Sequence, residues 1–271
     1  MVESIMRSGH TCGSGHLSRY KPPASPGKLV SAFNTWAFKR QQPSDLEQLI
    51  ATAAFAQQSA CPLPFVLYWG KGPRVAIGAA ELQCLDFLAS LGQRVADIHE
   101  PGTHFELLLT DTHAELNGHP CQQTRAYFED VTAAATDRGF TTRLLSSVVA
   151  HSGVSTNTSN IAAPSHETLS GLEECAEKWY RGQGPAIDGA AAYFAMNMHE
   201  KRAVEICYPR AIFITFNSSA LRVLFPDQMP IFYMYSLRKG CAIKPWFMDD
   251  EPVAGPPLTR TEYLPPALAA G

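Results

Sequence analysis

The chain lacks any apolar run of the roughly 18 residues that a membrane-spanning helix needs. Its opening, MVESIMRSGHTCGSGHLSRYKPPASPG, has no apolar stretch of the kind that marks a secretory signal. Neither a membrane nor secretion is therefore expected. No basic stripe is present and the formal net charge is -3, which argues against a nucleic-acid partner. The seven cysteines are scattered, odd in number and free of C-x-x-C pairs. That pattern speaks against a disulfide scaffold or a zinc ribbon and suits a reducing, cytoplasmic setting. Also missing are the nucleophile elbow G-x-S-x-G, the Walker A loop and G-x-G-x-x-G. No Ser-His-Asp or Cys-His order and no paired carboxylates of the glycosidase kind stand out, and no internal repeat is visible.

What is present is a chain of 271 residues with 45% hydrophobic content, enough for one sizeable domain. Residues 1–27 read as a disordered leader rich in Ser, Gly and Pro. Residues 28–250 read as a single α/β catalytic domain, and 251–271 as a loose Pro- and Ala-rich tail.

Residues 28–40 carry a helical pattern, and SDLEQLIATAAFAQ carries another, with Ser44 as expected N-cap and Glu47 three residues on. LPFVLYW then reads as a buried strand. Leu82, Leu85, Leu88, Leu91, Val95 and Ile98 recur every three or four residues, the clearest helix in the chain. FELLLTD is a strand ending at Asp111, residues 121–138 a helix closed by Gly139, and FTTRLLSSVV a strand. Residues 151–165 read as a polar loop. Helices follow near 166–181 and 188–201, and then several strands with turns at Pro209, Asn217-Ser218, Pro226 and Gly240. Alternation of strand and helix from 64 to about 146 predicts a Rossmann-like, doubly wound, mainly parallel sheet. The β-rich last third is expected to add antiparallel strands. Ligands of such sheets bind beyond the carboxyl ends of the strands.

Four stretches at such ends carry candidate chemistry. In Trp69-Gly70-Lys71-Gly72-Pro73-Arg74 a strand runs into a cationic, glycine-flanked loop. Lys71 or Arg74 there suits a carboxylate or phosphate, and the alternative is a tight turn with two solvated cations. In LLLTDTHAELNGH, Asp111 suits a ribose or an α-amino group, and His113 suits a general base, the ordinary pKa of a histidine side chain lying near neutrality. Asn117 and His119 follow, with Asn117-Gly118 also an ordinary turn pair. Asp111, His113 and His119 are metal-ligating types, but their spacing matches no metal motif and no metal is expected. On the helix near 188–201, Tyr193, Phe194 and Asn197 lie about a turn apart, with Asn157 on the preceding loop. Aromatic faces there would attract a cation, a sulfonium included, and ordinary core packing is the alternative. Finally, FITFNSS delivers Asn217 and Ser218 to a turn as hydrogen-bonding groups. Tyr193, Asn157 and Asp111 are the candidate catalytic residues. Trp69, Lys71, Arg74, His113, Asn117, Phe194, Asn197, Asn217 and Ser218 are the candidate substrate-binding residues.

The order of LPFVLYWGKG, of ELQCLDFLASLGQRVADIHEPGTHFELLLTD and of the strands after Ala203 resembles the isonitrile synthases of the pyoverdine/dityrosine biosynthesis type, over roughly residues 28–247. Lys71 falls where that family has its loop lysine and Asp111 where it has its strand-end acid. Tyr68-Trp69-Gly70 departs from the family's proline-rich strand end, DTHAELNG departs from its Asp-Gly continuation, and the chain is short for that family. The resemblance implies specialised metabolism, an amino-acid-type substrate, and work beside a peptide synthetase assembly line. Isonitrile formation would condense the amino-acid amine with a pentulose phosphate.

The chain is also similar in type to azetidine-2-carboxylate synthases, which close S-adenosylmethionine onto itself and release methylthioadenosine. That chemistry asks for a carboxylate clamp, a neutral amine and an aromatic or polar wall for the sulfonium. Tyr193, Phe194, Asn157, Asn197, Asn217 and Ser218 are the residues for it. S-Adenosylmethionine cyclisation is the leading expectation, with S-adenosylmethionine as substrate and no cofactor. Isonitrile synthesis is the second, and a small-ligand binding protein without catalysis the third.

Overall fold

The computed structural model describes residues 24–70, 76–155, 163–180, 184–217 and 219–234. Five strands form one all-parallel sheet: β1 (Leu63–Trp69), β2 (Thr103–Leu109), β3 (Thr141–Leu144), β4 (Ile212–Thr215) and β5 (Ile231–Tyr233). Their order is β3-β2-β1-β4-β5. The chain winds outward from β1 to β3, returns to the other side of β1 and winds outward again, as in Rossmann-like sheets. The reversal of direction leaves its crevice between the carboxyl ends of β1 and β4.

β1 is apolar on both faces because both are covered. Phe65, Leu67 and Trp69 enter one core with α1 (Pro26–Phe33), α2 (Leu46–Gln58), α3 (Ala79–Ala96) and α5 (Cys121–Thr136). Val66 and Tyr68 enter the other, with α6 (Leu145–Ser152), α7 (His166–Trp179) and α8 (Ala186–Cys207). A short helix α4 (Asp111–Leu116) follows β2 directly. Most of the expected stripe of α3 is buried: Leu85, Leu88, Leu91 and Val95 are fully covered, each worth about 1.5–3 kcal/mol of burial, while Leu82 is exposed and Ile98 lies past the end of the helix, partly buried.

Several expectations shift. The described strands of the last third, β4 and β5, pair in parallel rather than antiparallel. Every residue of IFIT and IFY is buried, so these strands belong inside the sandwich and not on an antiparallel flank. An isolated antiparallel bridge joins Lys39 to Met234. Strands and turns expected after residue 234, and the tail, lie outside the described residues, as does nearly all of the leader. α1 starts at Pro26 behind an Ser25 cap and ends at Phe33, earlier than expected.

The expected strand 140–149 splits into β3 and α6. α8 runs on to Cys207, so Ala203 and Val204 are helical; burial against the sheet outweighs the weak helix propensity of the valine. The N-cap of α2 is Asp45, which accepts from the Gln48 amide at 2.8 Å. Ser44 is taken by the sheet instead. Its hydroxyl accepts from the Ile231 amide at 3.0 Å, and its own amide donates to the Ile231 carbonyl at 3.1 Å. With Arg40 donating to Tyr233, residues 39–44 cover the outer edge of β5, the edge that would otherwise present open backbone groups.

Gly70 ends β1 at φ 85°. A Cβ there would stand 2.8 Å from the Phe128 ring, so only glycine fits this exit from the strand.

Candidate functional site

The ends of β1 and β2 are tied together by Thr110. Its amide and hydroxyl both donate to the Trp69 carbonyl, at 2.9 and 3.0 Å. α4 begins at the next residue, and its first turn carries His113 inward beneath α8. His113 is fully buried, and its Nε2 stands 2.7 Å from Oε2 of Glu200, itself 1% exposed. The other Glu200 oxygen accepts from the Thr112 hydroxyl at 2.5 Å. Two neighbouring residues of α4 thus grip one carboxylate of α8. Both Glu200 oxygens are acceptors, so the hydrogen of a neutral His113 ring sits on Nε2.

Two aromatic rings flank the histidine. Tyr193 meets it edge-on, centroids 5.2 Å apart, and the Tyr68 ring of β1 is 6.0 Å away. Asn197 belongs to the same face of α8, one turn after Tyr193 and one before Glu200, and is buried. Among the described residues, Nδ1 of His113, the Tyr68 hydroxyl and Oδ1 of Asn197 are buried without a hydrogen-bond partner. Burial, and then the charge of Glu200, hold the Tyr68 phenol well above its ordinary pKa, so it stays protonated. The result is a buried base held by an acid beside a neutral phenol, at the strand ends where α/β sheets bind ligands.

Of the residues expected from sequence, His113, Tyr193 and Asn197 come together here. Asp111 stands two residues earlier, in the same first turn of α4, but both its oxygens are engaged by Ser146, through the amide at 3.0 Å and the hydroxyl. Asn117 ends α4 with its amide on the Glu115 and His113 carbonyls. His119 is partly buried, which lowers its pKa. Phe194 points into the apolar core with Val66 and Phe213. Trp69 points away from His113 into the opposite core, fully buried. Asn217 follows β4 at the same edge of the sheet, its amide donating to the Thr215 hydroxyl. Lys71, Arg74, Asn157 and Ser218 lie outside the described residues. Among the described residues no group of three or more His, Cys, Asp or Glu side chains is placed to hold a metal. No helix there is long and apolar enough to cross a membrane.

Tyr68, Thr112 and Glu200 were not singled out from sequence. Glu200 had a signal: Tyr193, Asn197 and Glu200 follow one another at four- and three-residue spacing, a single helical face. A surface depression lined by Arg202, Glu205, Ile206, Asp227 and Gln228 lies at the amino ends of β4 and β5, the opposite edge of the sheet. Its acidic groups are engaged, Glu205 by the Gln228 amide and Asp227 by Lys201 and Arg222 beside it.

No protein-family model matches the sequence and no curated protein does. Solved structures do match. The PvcA protein from Pseudomonas aeruginosa superposes with a TM-score of 0.56 at 15% identity, over 82% of this chain and 87% of that one. Tyrosyl-tRNA synthetase complexed with L-tyrosine from Archaeoglobus fulgidus matches at a TM-score of 0.42 and 14% identity, over 79% of this chain and 67% of that one, a likeness too slight to carry an argument. The chain has the fold of PvcA across most of both proteins.

Proposed function

We propose that the chain is a biosynthetic enzyme of the isonitrile synthase type, acting on an amino-acid-type substrate. The observation that carries this reading is the buried His113–Glu200 pair beneath Tyr68 and Tyr193, at the carboxyl ends of the first two strands. The fold shared with PvcA, of the pyoverdine and isonitrile synthase type, supports it. Condensation of an amino acid with a pentulose phosphate begins with a neutral amine attacking a carbonyl carbon. A buried base serves the amine, and the proposed phosphate holders are Lys71 and Arg74.

A second reading is cyclisation of S-adenosylmethionine to azetidine-2-carboxylate. The observation favouring it is Tyr193, whose ring stands edge-on to His113 and offers an aromatic wall to a sulfonium. Both readings need the amine freed of its proton.

The test is a thermal-shift screen with L-tyrosine, L-tryptophan, ribulose 5-phosphate, S-adenosylmethionine and S-adenosylhomocysteine, followed by mass spectrometry after incubation. Stabilisation by an amino acid, and a new product only when ribulose 5-phosphate is also present, is expected, with turnover lost in Lys71→Ala. Release of methylthioadenosine from S-adenosylmethionine would establish the second reading. Binding without any product would make the chain a binding protein, and no binding at all would overturn the amino-acid reading.

A further inference from the structure

Three polar atoms of the residues that make up this site are buried and unanswered among the described residues: Nδ1 of His113, the Tyr68 hydroxyl, and Oδ1 of Asn197 on the α8 face between Tyr193 and Glu200. Each such group costs about 1–3 kcal/mol if nothing meets it, so three among the residues of one site call for a partner. Their chemistry is specific. With Nε2 donating to Glu200, Nδ1 presents a lone pair. Asn197 presents a carbonyl oxygen, and the phenol donates or accepts. Two acceptors and a hydroxyl are answered by a group with more than one N–H to give. A carboxylate or phosphate would bring acceptors to acceptors and would face the Glu200 charge. A primary ammonium fits the set.

We propose that His113 Nδ1 is the base that takes the proton from the substrate's ammonium, and that Glu200 is the positioning residue that holds it to that task. The proposal rests on the amino-acid reading above and names where the amine sits. In the step, one N–H bond of the ammonium breaks and its electron pair stays on nitrogen. A bond from the proton to Nδ1 forms. The products are a neutral amine and an imidazolium paired with the Glu200 carboxylate, so no charge is created overall. Thr112 holds the second Glu200 oxygen, which fixes the plane of the carboxylate and hence of the imidazole. Tyr68 and Asn197 accept the remaining amine hydrogens, which orients the nitrogen lone pair for attack on whichever carbon follows.

The experiment is heteronuclear NMR of protein carrying isotope-labelled histidine, with the His113 signal identified by its loss in His113→Gln. Free protein is expected to show one Nε2-protonated tautomer. Saturation with whichever of L-tyrosine, L-tryptophan or S-adenosylmethionine stabilises the wild type is expected to convert it to the doubly protonated ring. In Glu200→Gln the same ligand is expected to bind while the ring stays neutral, with kcat down roughly 10²-fold or more and KM changed far less. Should His113→Gln not fold, Glu200→Gln and Tyr68→Phe, which keep the shape of the site, carry the test. A His113 signal unmoved by a ligand that does bind would overturn the proposal and leave the amino-acid reading standing. So would equal binding of L-tyrosine and phloretic acid, its deaminated analogue. Failure of all the amine ligands to bind would overturn both together.

Discussion

Asp111 holds the first turn of α6 through Ser146: one carboxylate oxygen accepts from the Ser146 amide at 3.0 Å and the other from its hydroxyl. The helix has no cap of its own, since Leu144 precedes it. A side chain from the end of β2 supplies what the local sequence lacks. Asp111→Ala is therefore expected to cost about 1–2 kcal/mol of stability, with Asp111→Asn costing less because its amide oxygen still accepts. Chemical denaturation of the two variants checks this. An undiminished midpoint in Asp111→Ala would free the residue for the catalytic role expected from its place in the sequence.

Alkali should find the buried phenols. Burial foremost, and then Glu106, raise the Tyr208 pKa. Burial foremost, and then Glu200, raise that of Tyr68. An unfolded tyrosine ionises near 10, so the contribution of these two is present in full below about pH 10 and fades as pH climbs above it. Tyrosinate absorbance is expected to lag the pH until unfolding releases it. Tyr208→Phe should flatten the loss of stability above pH 10, and a decline of unchanged steepness would contradict that.

Gly189 tests packing against propensity. Gly189 is the fourth residue of α8, and inside a helix glycine to alanine gains up to about 1 kcal/mol. Here the new Cβ would meet the Tyr180 ring at 2.7 Å, and overpacking costs about 1–3 kcal/mol. Gly189→Ala is expected to destabilise on balance by up to ~2 kcal/mol. Adding Tyr180→Ala should recover part of the loss, a favourable coupling that a thermal-denaturation cycle measures.

Ser44→Ala and Asp45→Ala should each cost about 1 kcal/mol and yet differ in where the loss falls. Asp45 caps α2 and Ser44 binds β5. Hydrogen exchange is expected to quicken at the Gln48 amide in the first variant of α2, Asp45→Ala, and at the Ile231 amide in Ser44→Ala. The reverse pattern would restore Ser44 as the cap.

Period and composition made much of the sheet readable. β1 and α3 lie where their patterns put them, because each is long and buried on a clear face, whereas β2 takes in Thr103 and His104 ahead of the expected strand and stops at Leu109, two residues before Asp111 opens α4. The misread pieces were decided at a distance. TTRLLSSVV reads as a strand, and its second half forms a helix that buries Leu145 and Val148 and is capped by Asp111, 35 residues before Ser146. Ser44 and Asp45 are both good caps, and only the position of β5 chooses between them. At the site, His113 was visible as a titratable residue just past a strand. Glu200 was not, because HEKRAVE reads as a solvated face until its neighbours Tyr193 and Asn197 are seen to share its side of the helix.

The hold of Ser44 on Ile231 spans 187 residues, and that separation has a consequence for synthesis. At about 5–20 residues per second, the ribosome delivers the strand roughly 10–40 s after the segment that guards its edge. α1 and α2 meet the growing sheet early, while residues 39–44 wait for a partner not yet made. A segment made early is thus fastened late, and a nascent chain stalled before β5 carries an unclosed edge open to pairing with a neighbour.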